Sequence, residues 1–295
     1  MKYVSLIMDV EKSRTYSIVD RKELQDFLLV CVDKLNELFE KDMKFKVTFS
    51  AGDELQGLFY DVTSAFMYFR LLEMLIKPVK LRAGIGVGWL TVEVEKGLST
   101  MQDGPVYYYA KEAISDVYKR QFQNLNIYSG NREVDLFANH LANAAITLKR
   151  QQVYMQNIVL VMLELLCPFL KEKSIKADFE IARYLLEIKF NYRIGKRKSN
   201  SEYLREDKYR TKINFSKVDY NWFVNLNTIK INGNLENAED YIIKKNTDTI
   251  IADILGCSRQ NVNSIIQRGG ANKIRELDYI ALQFIEREYR RELWK

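Results

Sequence analysis

Two carboxylates stand side by side inside the apolar stretch "VTFSAGDELQGLFYD", residues 47–61. Phe45, Val47 and Phe49 alternate with Lys46 and Thr48 before the pair, and Leu58 and Phe59 follow it. Both flanks read as short strands, with Ala51-Gly52-Asp53-Glu54 as the turn between them. Another carboxylate, Asp9, lies near the end of the apolar run "YVSLIMDV", residues 3–10. If that run neighbours the hairpin in a sheet, Asp9 and Asp53 meet at one end of it. Acidic oxygens held together are costly unless a cation lies between them. Mg²⁺ or Mn²⁺ in that position would hold a nucleoside triphosphate, with Glu54 a weaker contributor. The turn after Asp9, Val10-Glu11-Lys12-Ser13-Arg14, offers N–H groups that could cradle phosphates. The plainer reading is that Gly52 and Asp53 are simply good turn residues.

The elements that must position these groups follow from periodicity. Leu24, Phe27, Leu28, Cys31, Leu35 and Leu38 have the spacing of a helix with one buried face, over about 21–41. A second helix is expected over about 64–76, stopped by Pro78. From Val79 a strand puts Leu81, Ala83, Ile85 and Val87 on one face and Gly84, Gly86 and Gly88 on the other. Glycines at alternate strand positions predict the close approach of something else. The strand is expected to continue to Val94 in a bend or second hairpin, before a helix over 106–121 and a short strand over 125–128. The order is that of a ferredoxin-like α+β domain, an antiparallel sheet with helices on one face. An all-α region is expected to follow it. The predicted divisions are 1–130, a helical linker region 131–240 and a final unit 241–295. Within the linker, 196–212 reads as an exposed insertion, and "NWFVNLNTIKINGN", residues 221–234, reads as a small hairpin.

Bulk properties narrow the class. A chain of 295 residues with 47% hydrophobic and 28% charged residues is ordinary for a soluble globular protein. Cys31, Cys167 and Cys257 are far apart and lack metal-ligand spacing, which suits a reducing cytoplasm. No stretch reads as a membrane span. The single histidine, His140, argues against histidine-built zinc sites and Ser-His-Asp chemistry, and reads as structural. A net charge of +6 permits contact with nucleic acid without requiring it.

The segment "DTIIADILGCSRQNVNSIIQRGG", residues 248–270, has the layout of a helix-turn-helix. Ile250, Ile251, Ile254 and Leu255 form one inner face, Val262, Ile265 and Ile266 the other, and small Ala252 permits the crossing. Gly256 makes the turn and Ser258 caps the second helix. Arg259, Gln260, Asn261, Asn263 and Gln267 are left pointing outward, the side-chain types that read base edges in double-stranded DNA. Arg268 and Lys273 are placed for phosphates. The competing reading is a helical hairpin used only for packing or dimerisation.

"AGDEL" resembles the GGDEF hairpin of diguanylate cyclases and the Gly-Asp hairpin of class III nucleotidyl cyclases. "LRAGIGVGWLTVEV" followed by "DGPVYYYAKEAI" is similar to the class III succession of "R-x-G-I-x-x-G" and "G-x-x-V-N-x-A-x-R". "DVEKSR", "AGDELQGLF", "RAGIGVG" and "DGPVYYYAKEAI" in this order, with the C-terminal helix-turn-helix, most resemble the SatD family of bacterial proteins. The likeness covers about 1–120 and 248–270, and is poor over about 150–245.

It implies a nucleotidyl-cyclase-like domain with Asp9 and Asp53 as metal ligands. Lys12, Ser13, Gly52 and Lys111 become nucleotide contacts, Lys12 and Lys111 as substitute cations. Class III cyclases complete their sites across a dimer, which implies a homodimer here. The transition-state Asn and Arg of that class fall at Tyr108 and Glu112. Loss of the Arg alone would remove on the order of 10²–10⁵ in rate. The resemblance therefore favours a nucleotide- and metal-binding sensor coupled to DNA binding. The alternative is an active nucleotidyl cyclase or nucleotidyltransferase making a nucleotide signal.

Overall fold

The fold is known from a computed structural model, which describes residues 2–94, 97–120, 123–171, 179–191, 228–235 and 246–293. It begins with β1 (Tyr3–Val10), α1 (Ile18–Leu38), β2 (Met43–Ala51), β3 (Glu54–Phe59), α2 (Val62–Ile76) and β4 (Leu81–Gly88). Next come α3 (Pro105–Lys119), β5 (Leu125–Tyr128), α4 (Arg132–Gln151), α5 (Tyr154–Leu166), β6 (Phe169–Lys171) and α6 (Phe179–Asn191). The remainder is β7 (Ile229–Ile231), α7 (Thr247–Leu255), α8 (Arg259–Arg268) and α9 (Ala271–Leu293).

The main sheet has the order β2-β3-β1-β4-β5. Its first four strands are antiparallel and carry the β-α-β-β-α-β connectivity. β5 adds a parallel strand beside β4. Strand alternation separates two faces. Val4, Leu6, Met8 and Val10 of β1 share a core with α1 and α2. Ile7 faces Ala110 and Ile114 of α3 instead. The helices therefore cover both faces, a correction to the one-faced sheet expected from element order. The alternating glycines are the reason. A Cβ on Gly86 would come within 2.2 Å of Ala110 N, and one on Gly84 within 2.3 Å of Ala110 O. What approaches the bare face of β4 is the backbone of α3.

Side-chain amides seal both edges of this sheet. Asn36 of α1 donates to Val47 O at 2.8 Å and accepts from Val47 N at 3.1 Å, on edge strand β2. At the other edge, Asn143 of α4 accepts from Asn124 N and Leu125 N and donates to Leu125 O. Asn139 serves Ile127 N and O in the same way. Each amide takes the place of a missing strand, so neither edge offers its backbone at those residues to another chain.

β4 ends at Gly88, and Val92 makes only an isolated bridge to Asp103, so the strand does not run on to Val94. The region after β5 is not all-α. β6 follows α5 and pairs in parallel with β7. Ile229–Ile231 thus joins a distant strand, while 221–227 and the expected insertion at 196–212 lie outside the described residues.

One hydrophobic cluster runs from Val4 to Tyr289, across the boundaries expected near 130 and 240. At its centre is a set of buried charges. Arg70 of α2 donates to Glu164 of α5 at 2.6 and 2.5 Å and to Asp278 of α9 at 2.6 Å. Arg275 of α9 donates to the same Glu164 and to Cys167 O, and Lys149 of α4 reaches Asp278 at 3.1 Å. Both guanidinium groups lie over the Phe169 ring, at 4.7 and 4.6 Å. Among the described residues, no helix is long and apolar enough to cross a membrane.

Candidate functional site

β2 and β3 meet in a two-residue hairpin, with Ala51 paired to Glu54. Gly52 has φ +63 and Asp53 does not share the positive φ, the pattern of a II′ turn. Glu54 is held within the hairpin, where its carboxylate accepts from Ser50 Oγ at 2.5 Å. Gln25 of α1 donates to Gly52 O at 3.4 Å and ties the tip to that helix.

The other side of the site is the turn from β1 into α1. Lys12 adopts the left-handed conformation at φ 58, and Ser13–Thr15 form one 3₁₀ turn. Ser17 caps α1 by accepting from Asp20 N at 3.1 Å. Arg21 donates back to Arg14 O at 3.0 Å and Tyr16 O at 3.3 Å, clamping the turn onto the helix. Between turn, helix and hairpin tip lies a cleft of about 190 Å³. It is lined by Ser13, Arg14, Arg21, Gln25, Gly52 and Asp53 over a floor of Leu24 and Leu28.

Asp9 stands at the end of β1, opposite Arg82 of β4. Its Oδ2 accepts from Tyr118 Oη of α3 at 2.8 Å, and its Oδ1 lies 3.3 Å from Arg82 Nε. The second contact is an ion pair without hydrogen-bond geometry: both atoms are buried and lack a hydrogen-bond partner. The Arg82 guanidinium stacks 4.3 Å over the Tyr118 ring. Burial pushes the Asp9 carboxyl above the usual carboxylate range; Tyr118 and Arg82 oppose this, while Asp53 and Glu54 add to it. Burial, then the bond to Asp9, raises the Tyr118 phenol.

Asp53, Gly52 and Ser13 line the cleft; Asp9 lies at the same end of the sheet but its carboxylate is turned to Tyr118 on the α3 face and is not part of the lining. Lys12 is exposed in the adjoining turn and is not part of the lining. Lys111 is exposed on the outer side of α3 and is likewise outside the cleft. Tyr108 and Glu112 are exposed on the same helix, ten and six residues before Tyr118. At 1.5 Å per residue they lie about 15 and 9 Å along the helix from it. Tyr108 Oη donates instead to Asp103, at 2.9 Å. Reading the sequence missed Arg21, Gln25, Arg82 and Tyr118, and took Arg14 only as part of the turn backbone. Arg14 was visible beside Ser13, whereas Arg82 and Tyr118 needed the sheet register and the seat of α3.

At the other end of the chain, α7 and α8 are joined by a three-residue turn, Gly256–Ser258, with Gly256 at φ 60. Ser258 accepts from Asn261 N at 3.2 Å. Val262, Ile265 and Ile266 are buried, and Gln260, Asn263, Gln267, Arg268 and Lys273 are exposed. Asn261 is half-buried. Arg259 is exposed but pairs with Asp248 of α7 at 2.6 Å, so its charge is partly engaged. α8 rests on α5, where Gln152 beyond α4 donates to Gly269 O at 2.8 Å. His140 is exposed, with Nδ1 2.8 Å from Leu136 O.

Comparison with known proteins gives likenesses of two kinds, to a solved structure and to a family model. A solved structure of a bacterial light-regulated adenylyl cyclase is similar at 10% identity and a TM-score of 0.32. The match covers 43% of this chain and 74% of that one. No curated protein matches. The SatD family model matches residues 3–212, more than half the chain and the whole of the cleft just described, and the protein belongs to the SatD family.

Proposed function

We propose that residues 1–130 form a nucleotide- and metal-binding, cyclase-like sensor. The helical remainder couples it to DNA binding at 241–295, in a cytoplasmic homodimer. The observation that carries the first half is a cleft lined by Asp53, Gly52 and Ser13, at the sheet end where the charge of Asp53 also reaches Asp9. Magnesium is commonly held by one or two carboxylates together with substrate phosphates. Asp9 and Asp53 fit that donor set, and Asp9 Oδ1 is a buried oxygen without a hydrogen-bond partner. Among the described residues no group of three or more His, Cys, Asp or Glu is placed to hold a metal, so phosphate oxygens would complete the set. Bound Mg²⁺ or Mn²⁺ would neutralise the charge of a triphosphate. Arg82 now shares Asp9 Oδ1 and would have to give way.

Sensing is favoured over turnover because Tyr108 and Glu112 replace the groups expected to stabilise a pentavalent phosphate. Both are exposed on α3, about 15 and 9 Å along the helix from the Tyr118 that holds Asp9. Asp53→Asn is expected to abolish the Mg²⁺-dependent thermal stabilisation given by ATP or GTP. For wild type at 100 times Kd that stabilisation is about 2.7 kcal/mol. An undiminished shift in the variant removes Asp53 from the site. Efficient pyrophosphate release by wild type would favour the active-cyclase alternative.

The DNA-binding half rests on the capped helix α8 and its exposed Gln260, Asn263, Gln267 and Arg268. Few cations lie there, so affinity per copy is expected to be modest and sensitive to salt. The full chain should enrich particular sequences from a random duplex pool, and Gln260→Ala should relax one position by about 1–3 kcal/mol. No salt-sensitive retention at low ionic strength, with or without nucleotide, would leave α7 and α8 as packing elements.

A further inference from the structure

We infer that Arg14 and Arg21 are the anion-binding residues of the cleft, and that they receive the phosphate end of a nucleoside polyphosphate whose base lies outside, over Ile18. This rests on the nucleotide reading above and deepens it.

Size comes first. At about 190 Å³ the cleft is smaller than the roughly 300–1,000 Å³ of ordinary small-molecule sites. It has room for phosphate groups but not for a sugar and base as well. Charge comes second. Arg14 and Arg21 line one side, and the only lining carboxylate, Asp53, is on the hairpin opposite. Guanidinium groups bind phosphate oxygens in a planar, two-pronged way that a lysine cannot. Arg21 is already oriented by its bonds to Arg14 O and Tyr16 O. Arg14 makes no ion pair among the described residues and stands exposed at the lip.

The third observation concerns where the rest of the ligand lies. Arg21, Leu24, Gln25 and Leu28 line the cleft at successive three- and four-residue steps of α1. Ile18 is three residues before Arg21, so it continues the same helical stripe by one turn beyond the mouth. It is 85% exposed, the most exposed large apolar side chain among the described residues. An apolar platform next to a small cationic cleft suits a base stacked outside and phosphates held inside. Lys111 and Lys12, outside the lining, are not needed for this arrangement.

The test is equilibrium binding of ATP, GTP and inorganic tripolyphosphate to the full chain, each with Mg²⁺ and with EDTA. Tripolyphosphate is expected to compete with the nucleotide. Arg14→Gln should weaken both on the order of tenfold to a hundredfold, the worth of a charged hydrogen bond. Arg14→Lys should recover part of the loss. Arg21→Gln should do the same as Arg14→Gln, but Arg21 also holds the turn, so the exposed Arg14 is the primary variant. Ile18→Ser should weaken nucleotide binding and spare tripolyphosphate. If wild type binds nucleotide, and Asp53→Asn abolishes binding while Arg14→Gln and Arg21→Gln leave it unchanged, this inference is overturned and the nucleotide reading stands. No nucleotide binding to wild type under either condition overturns both.

Discussion

Replacing Glu164 by alanine is expected to destabilise the protein by about 3–5 kcal/mol. Glu164 is buried and serves two buried arginines, Arg70 and Arg275. Burial alone would raise its carboxyl; the charges of Arg70 and Arg275 outweigh that and hold it below the usual range. Without it, buried Arg70 and Lys149 would still reach Asp278, while buried Arg275 would lose the carboxylate it donates to. The cost arises from uncompensated charge in a medium that solvates it poorly, not from the intrinsic worth of an ion pair. Total stability of a folded protein is only about 5–15 kcal/mol, so low soluble yield is a second expected sign. Glu164→Gln keeps the shape and part of the hydrogen bonding and should fall between. Urea unfolding midpoints at constant slope measure the series. A loss below about 1 kcal/mol for the alanine variant would show that the charges reach solvent or another partner. The same network has a consequence for dissection. Arg275 and Asp278 belong to α9, and their partners belong to α2, α4 and α5. The proposed DNA binding is therefore best tested on the whole chain.

Gly86→Ala is expected to cost on the order of 3 kcal/mol, the upper end for overpacking by a single methyl group. The added Cβ would lie 2.2 Å from Ala110 N and 2.5 Å from Val106 O. Those are helix backbone atoms and cannot turn aside as a side-chain tip does. Either β4 bends or α3 lifts from the sheet. A lifted α3 would carry Tyr118 away from Asp9 and break a 2.8 Å bond. The variant should therefore lose stability and also alter the proposed metal-dependent nucleotide binding. Unchanged stability on chemical unfolding would mean that α3 does not lie directly on β4.

Much of the framework was legible in single segments. β1 and β5 were read at their observed limits, 3–10 and 125–128. The hairpin turn at Gly52-Asp53, the Gly256 turn and the Ser258 cap were read from residue type alone. Each depends on atoms a few positions apart: the sterics of positive φ, a hydroxyl reaching a nearby N–H, or an alternation of apolar side chains. Such preferences are written locally and survive whatever packs around them.

Other features were decided only when distant segments met. The sequence marked the glycines of β4 as an approach surface without naming α3 as what approaches. It placed Asp9 and Asp53 at one sheet end, but not the Arg82 and Tyr118 that hold Asp9. Phe169–Lys171 and Ile229–Ile231 form one small sheet although about sixty residues separate them. Arg70 lay in an apolar helix pattern, and nothing near it announced Glu164 or Asp278 as partners. The physical reason is common to all four. A strand's free N–H groups, a bare backbone face or a buried charge fixes what kind of partner is required. Which partner arrives depends on the pairing of whole elements, whose energy is summed over contacts far apart in the chain.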